Sequence, residues 1–229
     1  MDYTQFLEKT GIVIKDKSIL KRAFTHRSYI NENRNLGLSH NERLEFLGDA
    51  VLELVTTDYL FTNYPKKNEG DMTALRSALV NTNNLSDVAS EIGVNDHMLF
   101  SKGEAKDTGR ARQYILANAM EVIIGAIYVD SGYDEAKKFI ERHIITKIDK
   151  ILEDGSWIDA KSKYQEKAQE VDGVTPEYRL IKETGPDHDK RFEMGVYLGK
   201  TLEAKGEGKS KQDAEQMAAR EALKKRGWL

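Results

Sequence analysis

Residues 41–53 read NERLEFLGDAVLE. Wound as an α-helix at about 100° per residue, this stretch puts Glu42, Glu45, Asp49 and Glu53 in one narrow stripe. Leu44, Leu47, Val51, Leu54 and Val55 fill the opposite side, the face such a helix docks on a core. Four carboxylates with no lysine among them repel one another, and a divalent cation, or something arriving with one, would relieve that repulsion. The plainer reading is a wet helix face. Ser39-x-x-Glu42 fits a capping box, so that Glu42 would merely close the helix N-terminus, and Glu53 can stand solvated.

A second stretch bears on the choice. Residues 112–129 read RQYILANAMEVIIGAIYV, and from Tyr114 to Val129 the only charged side chain is Glu121. A helix that is apolar all round is buried, and a buried carboxylate costs several kcal/mol (roughly 3–5) unless it is protonated, paired or metal-bound. Arg43, Arg76, Arg110 and Arg112 are available as ion-pair partners. Alternatively Glu121 and Asn118, three residues apart on one face, look across a helix pair at Glu45 and Asp49. Four oxygen-bearing side chains would then converge, as hard divalent ions require. Such a site suits Mg²⁺-assisted phosphodiester hydrolysis. The five histidines, at 26, 40, 97, 143 and 188, are scattered without the spacing of a zinc site.

The bulk of the chain sets limits. Its 229 residues suffice for two domains, and 39% hydrophobic with 32% charged residues is the balance of a surface-rich, soluble chain with modest cores. There is no cysteine, hence no disulfide framework or thiolate site, which fits a reducing compartment. No basic-then-apolar leader opens the sequence, and the run Tyr114–Val129 is short for a membrane span and interrupted by Glu121. A cytoplasmic protein without a membrane partner is expected. The net charge of −3 argues against a nucleic-acid binder held by bulk electrostatics. From Ile158 onward Lys+Arg number 15 against 14 Asp+Glu, and before it 20 against 24, so only local clusters could hold nucleic acid.

Residues 1–152 read as helical, with candidates at Tyr3–Thr10, Lys17–Thr25, Glu42–Asn63, Asp71–Asn81, Thr82–Ile92, Arg112–Val129 and Tyr133–Leu152. Residues 153–157, opening Glu153-Asp154-Gly155-Ser156, are the expected linker. Across 158–229 the pattern changes. Ala160, Tyr164, Ala168 and Val171 recur at helical spacing. Period-two runs follow at Tyr178 and Leu180, at Phe192, Met194, Val196 and Leu198, and at Leu202 and Ala204. A last helix starts near Ser210 with Ala214, Met217, Ala218 and Ala222 on one side. The expected fold is an all-α domain followed by a small α+β domain of α-β-β-β-α order.

The stretch NERLEFLGDAVLE resembles the signature of the ribonuclease III family. Similar stretches flank it: Thr25-His26-Arg27-Ser28-Tyr29, Glu69-Gly70-Asp71, and SKGEAKDTGRARQYILANAMEVIIGAIYVD from Ser101. The resemblance covers essentially the whole chain. It implies a nuclease that cuts double-stranded RNA to 5′-phosphate and 3′-hydroxyl ends, using Mg²⁺ with Mn²⁺ able to substitute, in rRNA precursor and mRNA processing. It makes Glu45, Asp49, Asn118 and Glu121 the metal set, with Asp49 and Glu121 catalytic, and puts Glu42 and Glu69 near the cleavage site. It also implies a homodimer in which Phe46 packs into the partner, whereas by itself Phe46 reads equally as core. One departure stands out: the family commonly has Asp where this chain has Asn118, which keeps an oxygen ligand but loses a charge.

The second domain resembles the double-stranded-RNA-binding fold. That likeness implies three contact regions: Gln165 and Glu166 on the opening helix; the turn Gly185-Pro186-Asp187-His188, where Pro186 and His188 would reach a minor groove; and Lys209-Ser210-Lys211-Gln212. The last has a warrant of its own, because a helix N-terminus presents free N–H groups and a positive dipole end to phosphate. Ser210-x-x-Asp213 fits a plain capping box equally well. Two other functions are compatible with parts of the sequence: an RNA-binding regulator with a degenerate nuclease domain, which only Asn118 favours, and a small phosphate-ester hydrolase, which leaves the second domain without a purpose.

Overall fold

The stretch 42–63 is one unbroken helix, and a second 22-residue helix lies across it. Both belong to a computed structural model that describes residues 2–37, 39–155, 157–186 and 189–228. Two units divide the chain, Met1–Trp157 and Ile158–Leu229. In the first, the helices in chain order are α1 (Thr4–Thr10), α2 (Lys17–Ala23), α3 (Arg27–Glu32), α4 (Glu42–Asn63), α5 (Glu69–Val80), α6 (Thr82–Ile92), α7 (Arg110–Ser131), α8 (Tyr133–His143) and α9 (Ile148–Asp154). Side-chain caps set several starts: Asp16, Asn68 and Asn81 accept from the backbone N–H groups of Ser18, Asp71 and Asn84.

The centre of this unit is α7. Ten of its residues are buried, from Leu116 to Ile127, and it packs on α4, α6, α8 and α2. It is longer than the apolar run suggests, and it passes the length and composition test for a membrane-crossing helix. Its apolar side chains are spent on the core with Leu52, Val55, Leu75, Leu79, Leu85 and Val88.

The α4–α7 crossing is set by two glycines. A methyl group on Gly48 would overlap the Glu121 carbonyl, and one on Gly125 would overlap the Leu44 carbonyl. Glycine inside a helix costs about 1 kcal/mol relative to alanine. Here it buys direct backbone contact between the two helices.

Several expectations change. The expected helix Tyr133–Leu152 breaks after His143, whose Nε2 lies 2.9 Å from the Thr10 carbonyl. A 3₁₀ turn at Ile145–Lys147 intervenes, and the break lets Ile144, Ile145 and Ile148 all reach the core. Ser39 does not cap α4: its N-cap residue is Asn41, whose amide instead donates to the Ala23 carbonyl. Leu54, expected on the buried side, is exposed. The segment containing Arg27, not expected to be helical, forms α3. Glu153 and Asp154 complete α9 rather than standing in an irregular linker. Trp157 packs against the first unit's core with Lys67 Nζ 4.3 Å above its ring.

The second unit runs α10 (Ala160–Asp172), β1 (Glu177–Thr184), β2 (Arg191–Leu198), β3 (Thr201–Gly208) and α11 (Lys211–Lys225). The antiparallel sheet has the order β1-β2-β3. Ala160, Tyr164, Val196, Ala218, Ala219, Ala222 and Leu223 form its core, joined by Trp228, whose ring lies 5.7 Å from that of Tyr164 and 4.8 Å from the Arg226 guanidinium carbon. A methyl group on Gly206 would overlap the Ala218 amide nitrogen, so β3 lies directly on the alanine face of α11. Met217, expected on that face, is exposed. A register shift between Val196 and Tyr197 pairs Leu202 with Tyr197, so Leu202 flanks the outward side of Gly195 rather than following Ala204 inward. A second shift follows Leu180, and of β1 only Tyr178 is partly buried.

Gly48→Ala and Gly125→Ala should each force the helices apart and lower unfolding free energy by about 1–3 kcal/mol or more. Thermal melts check this. An unchanged melting temperature would mean that the crossing relaxes freely.

Candidate active site

Three sectors divide the surface of α4. Leu44, Gly48, Val51, Leu52 and Val55 are buried. The acidic stripe runs along the edge beside α7. On the other edge Phe46, Leu54 and Phe61 stand 82%, 58% and 71% exposed. The Gly48–Gly125 contact lies within one turn of Glu45, Asp49 and Glu121, so the carboxylates meet where the two backbones touch.

The four expected residues do come together. Asn118 Nδ2 donates to Glu45 Oε1 at 2.9 Å, which leaves the amide oxygen free of that bond. Burial raises the Glu45 carboxyl above its ordinary value, and Glu42 and Asp49 add repulsion. Glu121 is half-buried rather than fully buried. Desolvation first, then the charges of Asp49 and Glu45, push its carboxyl up to about 7. Among the described residues no ion pair reaches Glu45, Asp49 or Glu121. Arg76 and Arg112, both candidate partners of Glu121, are engaged elsewhere. Arg76 lies 3.7 Å from Glu53 and donates to Thr57, while Arg112 binds the Asp107 and Glu104 carbonyls and Asn95.

This donor set fits a hard divalent cation: carboxylate and amide oxygens, with Glu45 and Glu121 partly desolvated and no cation paired to the carboxylates among the described residues. Among the described residues no three His, Cys, Asp or Glu side chains already stand as a closed cage. Mutually repelling carboxylates would draw inward around a cation.

The remaining acids part company. Glu42 sits beside the cluster and is held by Arg27 Nη1 at 3.2 Å, with His40 Nδ1 3.6 Å away. Glu53, in line with the others by spacing, belongs to Arg76. Glu69 opens α5 and lines a cleft of about 240 Å³ with Phe61, Met72 and Arg76, beside the C-terminal half of α4. From Asp49 to Phe61 along α4 is about 18 Å at 1.5 Å per residue, so Glu69 does not join the four within one chain. Gly48, Gly125 and Arg27 were not legible as contributors. Two glycines inside otherwise apolar helices were the available signal.

In the second unit, Gln165 and Glu166 are exposed on α10. Pairing of Thr184 with Arg191 and of Phe192 with Gly208 sets the β1–β2 turn at the same end of the sheet as Lys209–Gln212. Pro186 is exposed in that turn, and His188 lies outside the described residues. Ser210 caps α11 by accepting from the Asp213 N–H at 3.1 Å. Lys209, Lys211 and Gln212 are exposed there, with Lys211 Nζ 5.9 Å from the Phe192 ring centre.

A helical unit with an acidic cleft, joined to an α-β-β-β-α unit with a basic helix start, defines a nuclease carrying its own RNA-binding module. Residues 16–148 match the Ribonuclease-III-like family and residues 160–226 the double-stranded RNA binding motif. Ribonuclease 3 of Enterococcus faecalis is 46% identical over 224 residues, 96% of each chain. Ribonuclease 3 of Streptococcus gordonii is 43% identical over 221 residues, 95% of this chain and 94% of the relative. The nuclease domain of ribonuclease III from Campylobacter jejuni, a solved structure, is 38% identical with a TM-score of 0.57, covering 63% of this chain and 97% of that one. The chain belongs to the ribonuclease III family and is a ribonuclease III-type endoribonuclease with a double-stranded-RNA-binding domain.

The raised Glu121 carboxyl gives a pH signature in metal-free protein. Below about pH 4.5 both folded and unfolded states hold the proton. As pH rises toward 7 the unfolded state loses it first, so Glu121 increasingly destabilises the fold. Glu121→Gln should therefore raise stability above pH 7 by about 1–3 kcal/mol and leave it unchanged below pH 4.5. Denaturant titrations in EDTA at pH 4 and pH 8 test this, and equal effects at both would contradict it.

Proposed function

We propose that this endoribonuclease depends on a divalent metal, Mg²⁺ or in its place Mn²⁺, held by Glu45, Asp49, Asn118 and Glu121, and that it works as a homodimer. The observation that carries the metal reading is the uncompensated convergence of three carboxylates and an amide across the α4–α7 contact. When bound, the ion supplies Lewis acidity at the scissile phosphate and acidifies the attacking water. The protein's part is positional. Glycine contact fixes the carboxylates in one cleft, Asn118 holds Glu45 by its amide, and half-burial keeps Glu121 from being fully hydrated. Asp49 and Glu121 would orient the water, one of them accepting its proton as the P–O bond forms and the bond to the 3′-oxygen breaks, and the leaving 3′-oxygen takes a proton from solvent. The products are 5′-phosphate and 3′-hydroxyl ends. Without a fourth charge at position 118, the cation is held more weakly than by an all-carboxylate set.

The dimer reading rests on the exposed apolar edge of α4. Phe46, Leu54 and Phe61 form a stripe over four turns on one side of one helix, which is costly to leave in water. The Campylobacter jejuni nuclease domain is described as having a region involved in dimer formation. Glu69, distant from its own chain's cluster, would act at a partner's cleavage site, with Glu42 beside the metal. Duplex affinity is assigned to Gln165 and Glu166, to the turn bearing Pro186 and His188, and to Lys209, Ser210, Lys211 and Gln212, which read A-form shape through 2′-OH and phosphate contacts. Cleavage of rRNA precursors and structured mRNA in the cytoplasm is the role that suits such an enzyme.

Incubating a long RNA duplex with protein and Mg²⁺ should give cleavage that Glu121→Gln abolishes while duplex binding persists. Cleavage by the variant would overturn the site assignment, and absence of cleavage by the parent would favour an RNA-binding regulator. Asn118→Asp should lower the Mg²⁺ concentration needed for half-maximal rate, and no change would remove position 118 from the metal set. Phe46→Asp should shift the protein from dimer to monomer in sedimentation and cut activity at least tenfold. A dimer of unchanged stability would refute the α4 interface.

A further inference from the structure

The motif Thr25-His26-Arg27-Ser28-Tyr29 is used by no step of the proposed reaction, and most of it is spent on architecture. Thr25 is buried, with Oγ1 donating to the Lys21 carbonyl at 2.7 Å. The backbone here pairs with residue 99: the His26 N–H donates to the Leu99 carbonyl and the Leu99 N–H to the Phe24 carbonyl. His26 Nδ1 accepts from the Ser28 N–H, capping α3. Ser28 Oγ accepts from the Ser101 N–H at 3.0 Å. These contacts fix the start of α3 to the segment that leads toward α7. Arg27 is the exception. Its side chain is 67% exposed, and its one contact among the described residues is Glu42, through Nη1.

Glu42 lies one turn from Glu45 on the acidic stripe, and i,i+3 neighbours on a helix are about 5–6 Å apart. The motif is therefore built so that a rigidly mounted guanidinium stands at the rim of the carboxylate cluster. An exposed ion pair of this kind adds little to stability, so it is a weak structural tie. A guanidinium carries five N–H donors, and Glu42 engages one nitrogen, so most remain for a second acceptor. The polyanionic substrate must approach Glu42, Glu45, Asp49 and Glu121 together. On the stripe, Arg76 is committed to Glu53 and Thr57, whereas Arg27 has only its exposed tie to Glu42 among the described residues.

We infer that Arg27 is an RNA-binding residue of the nuclease unit, held at the cleft rim by Glu42 and transferred on binding to a backbone phosphate flanking the cleavage position. This rests on the proposed reading of the acidic cleft. Phosphate takes a guanidinium in a two-point, charge-assisted contact, and Glu42, released, gains freedom to face the cleft.

The test uses full-length protein and a long RNA duplex. It follows both duplex binding and cleavage in Mg²⁺ across a salt series, for wild type, Arg27→Gln, Arg27→Lys and Glu121→Gln. Arg27→Gln should lower kcat/KM about tenfold or more. It should also flatten the dependence of log affinity on log salt by about one unit, the loss of one phosphate contact. Arg27→Lys should restore the salt slope with only part of the rate, since it keeps the charge but loses the fork. An unchanged salt slope in Arg27→Gln would overturn the inference, whether kcat/KM falls or not, because a residue that only positions Glu42 releases no counterions. Failure of the cleft reading is seen separately, as cleavage by Glu121→Gln, and the binding slopes report on Arg27 in either case.

Discussion

Backbone contact between α4 and α7 at Gly48 and Gly125 is the constraint on which the rest of the first unit depends. Helices normally pack 8–10 Å apart because side chains intervene. Here the carbonyls of Leu44 and Glu121 occupy the space that two methyl groups would need. Three consequences follow from one geometry. The contact lets α7 sit deep in the core. It sets Glu121 beside the stretch of α4 that carries Glu45 and Asp49. It also leaves Glu45 and Glu121 partly desolvated, which raises the cost of their charge. In the proposed reading like charges are held together at the site, in a unit whose other helices supply the compensating apolar burial.

The second unit solves a different problem with little net charge. Its cations are largely tied within the fold. Lys161 pairs with Glu215, Lys205 with Glu193, and Arg226 with both Glu203 and Asp172. Lys209 and Lys211 stand exposed at the start of α11, where the helix dipole and the N–H groups that Ser210 leaves free add to them. An overall acidic chain can therefore hold a polyanion, because A-form RNA is recognised by the placement of a few contacts rather than by bulk potential.

Much of this was readable because periodicity and chemistry coincided. The 42–63 and 82–92 helices have the bounds expected from their spacing, and the α-β-β-β-α order follows from a change of period after residue 157. What was not legible has identifiable causes. Leu54 looks like core by spacing because hydrophobic pattern cannot distinguish a face turned to the protein from one left open. Leu202 changes face through a register shift that leaves no mark in an alternating sequence. Glu53 matches the stripe by angle, yet it is claimed by Arg76 from a helix whose position no local rule reveals. Arg27 hides because its neighbours in the motif serve hydrogen bonds to residues 73 positions away, and only tertiary placement sets it beside Glu42.

Each unit also ends on its own tryptophan. Trp157 lies under the ammonium of Lys67 against the first core, and Trp228 packs by Tyr164 and Arg226 in the second. The chain has no others. The molecule thus carries two tryptophan fluorophores, one per unit, each beside a cation. A single Trp→Phe replacement leaves tryptophan emission in one unit alone, so the loosening of either can be watched by selective tryptophan fluorescence in the intact chain without a label.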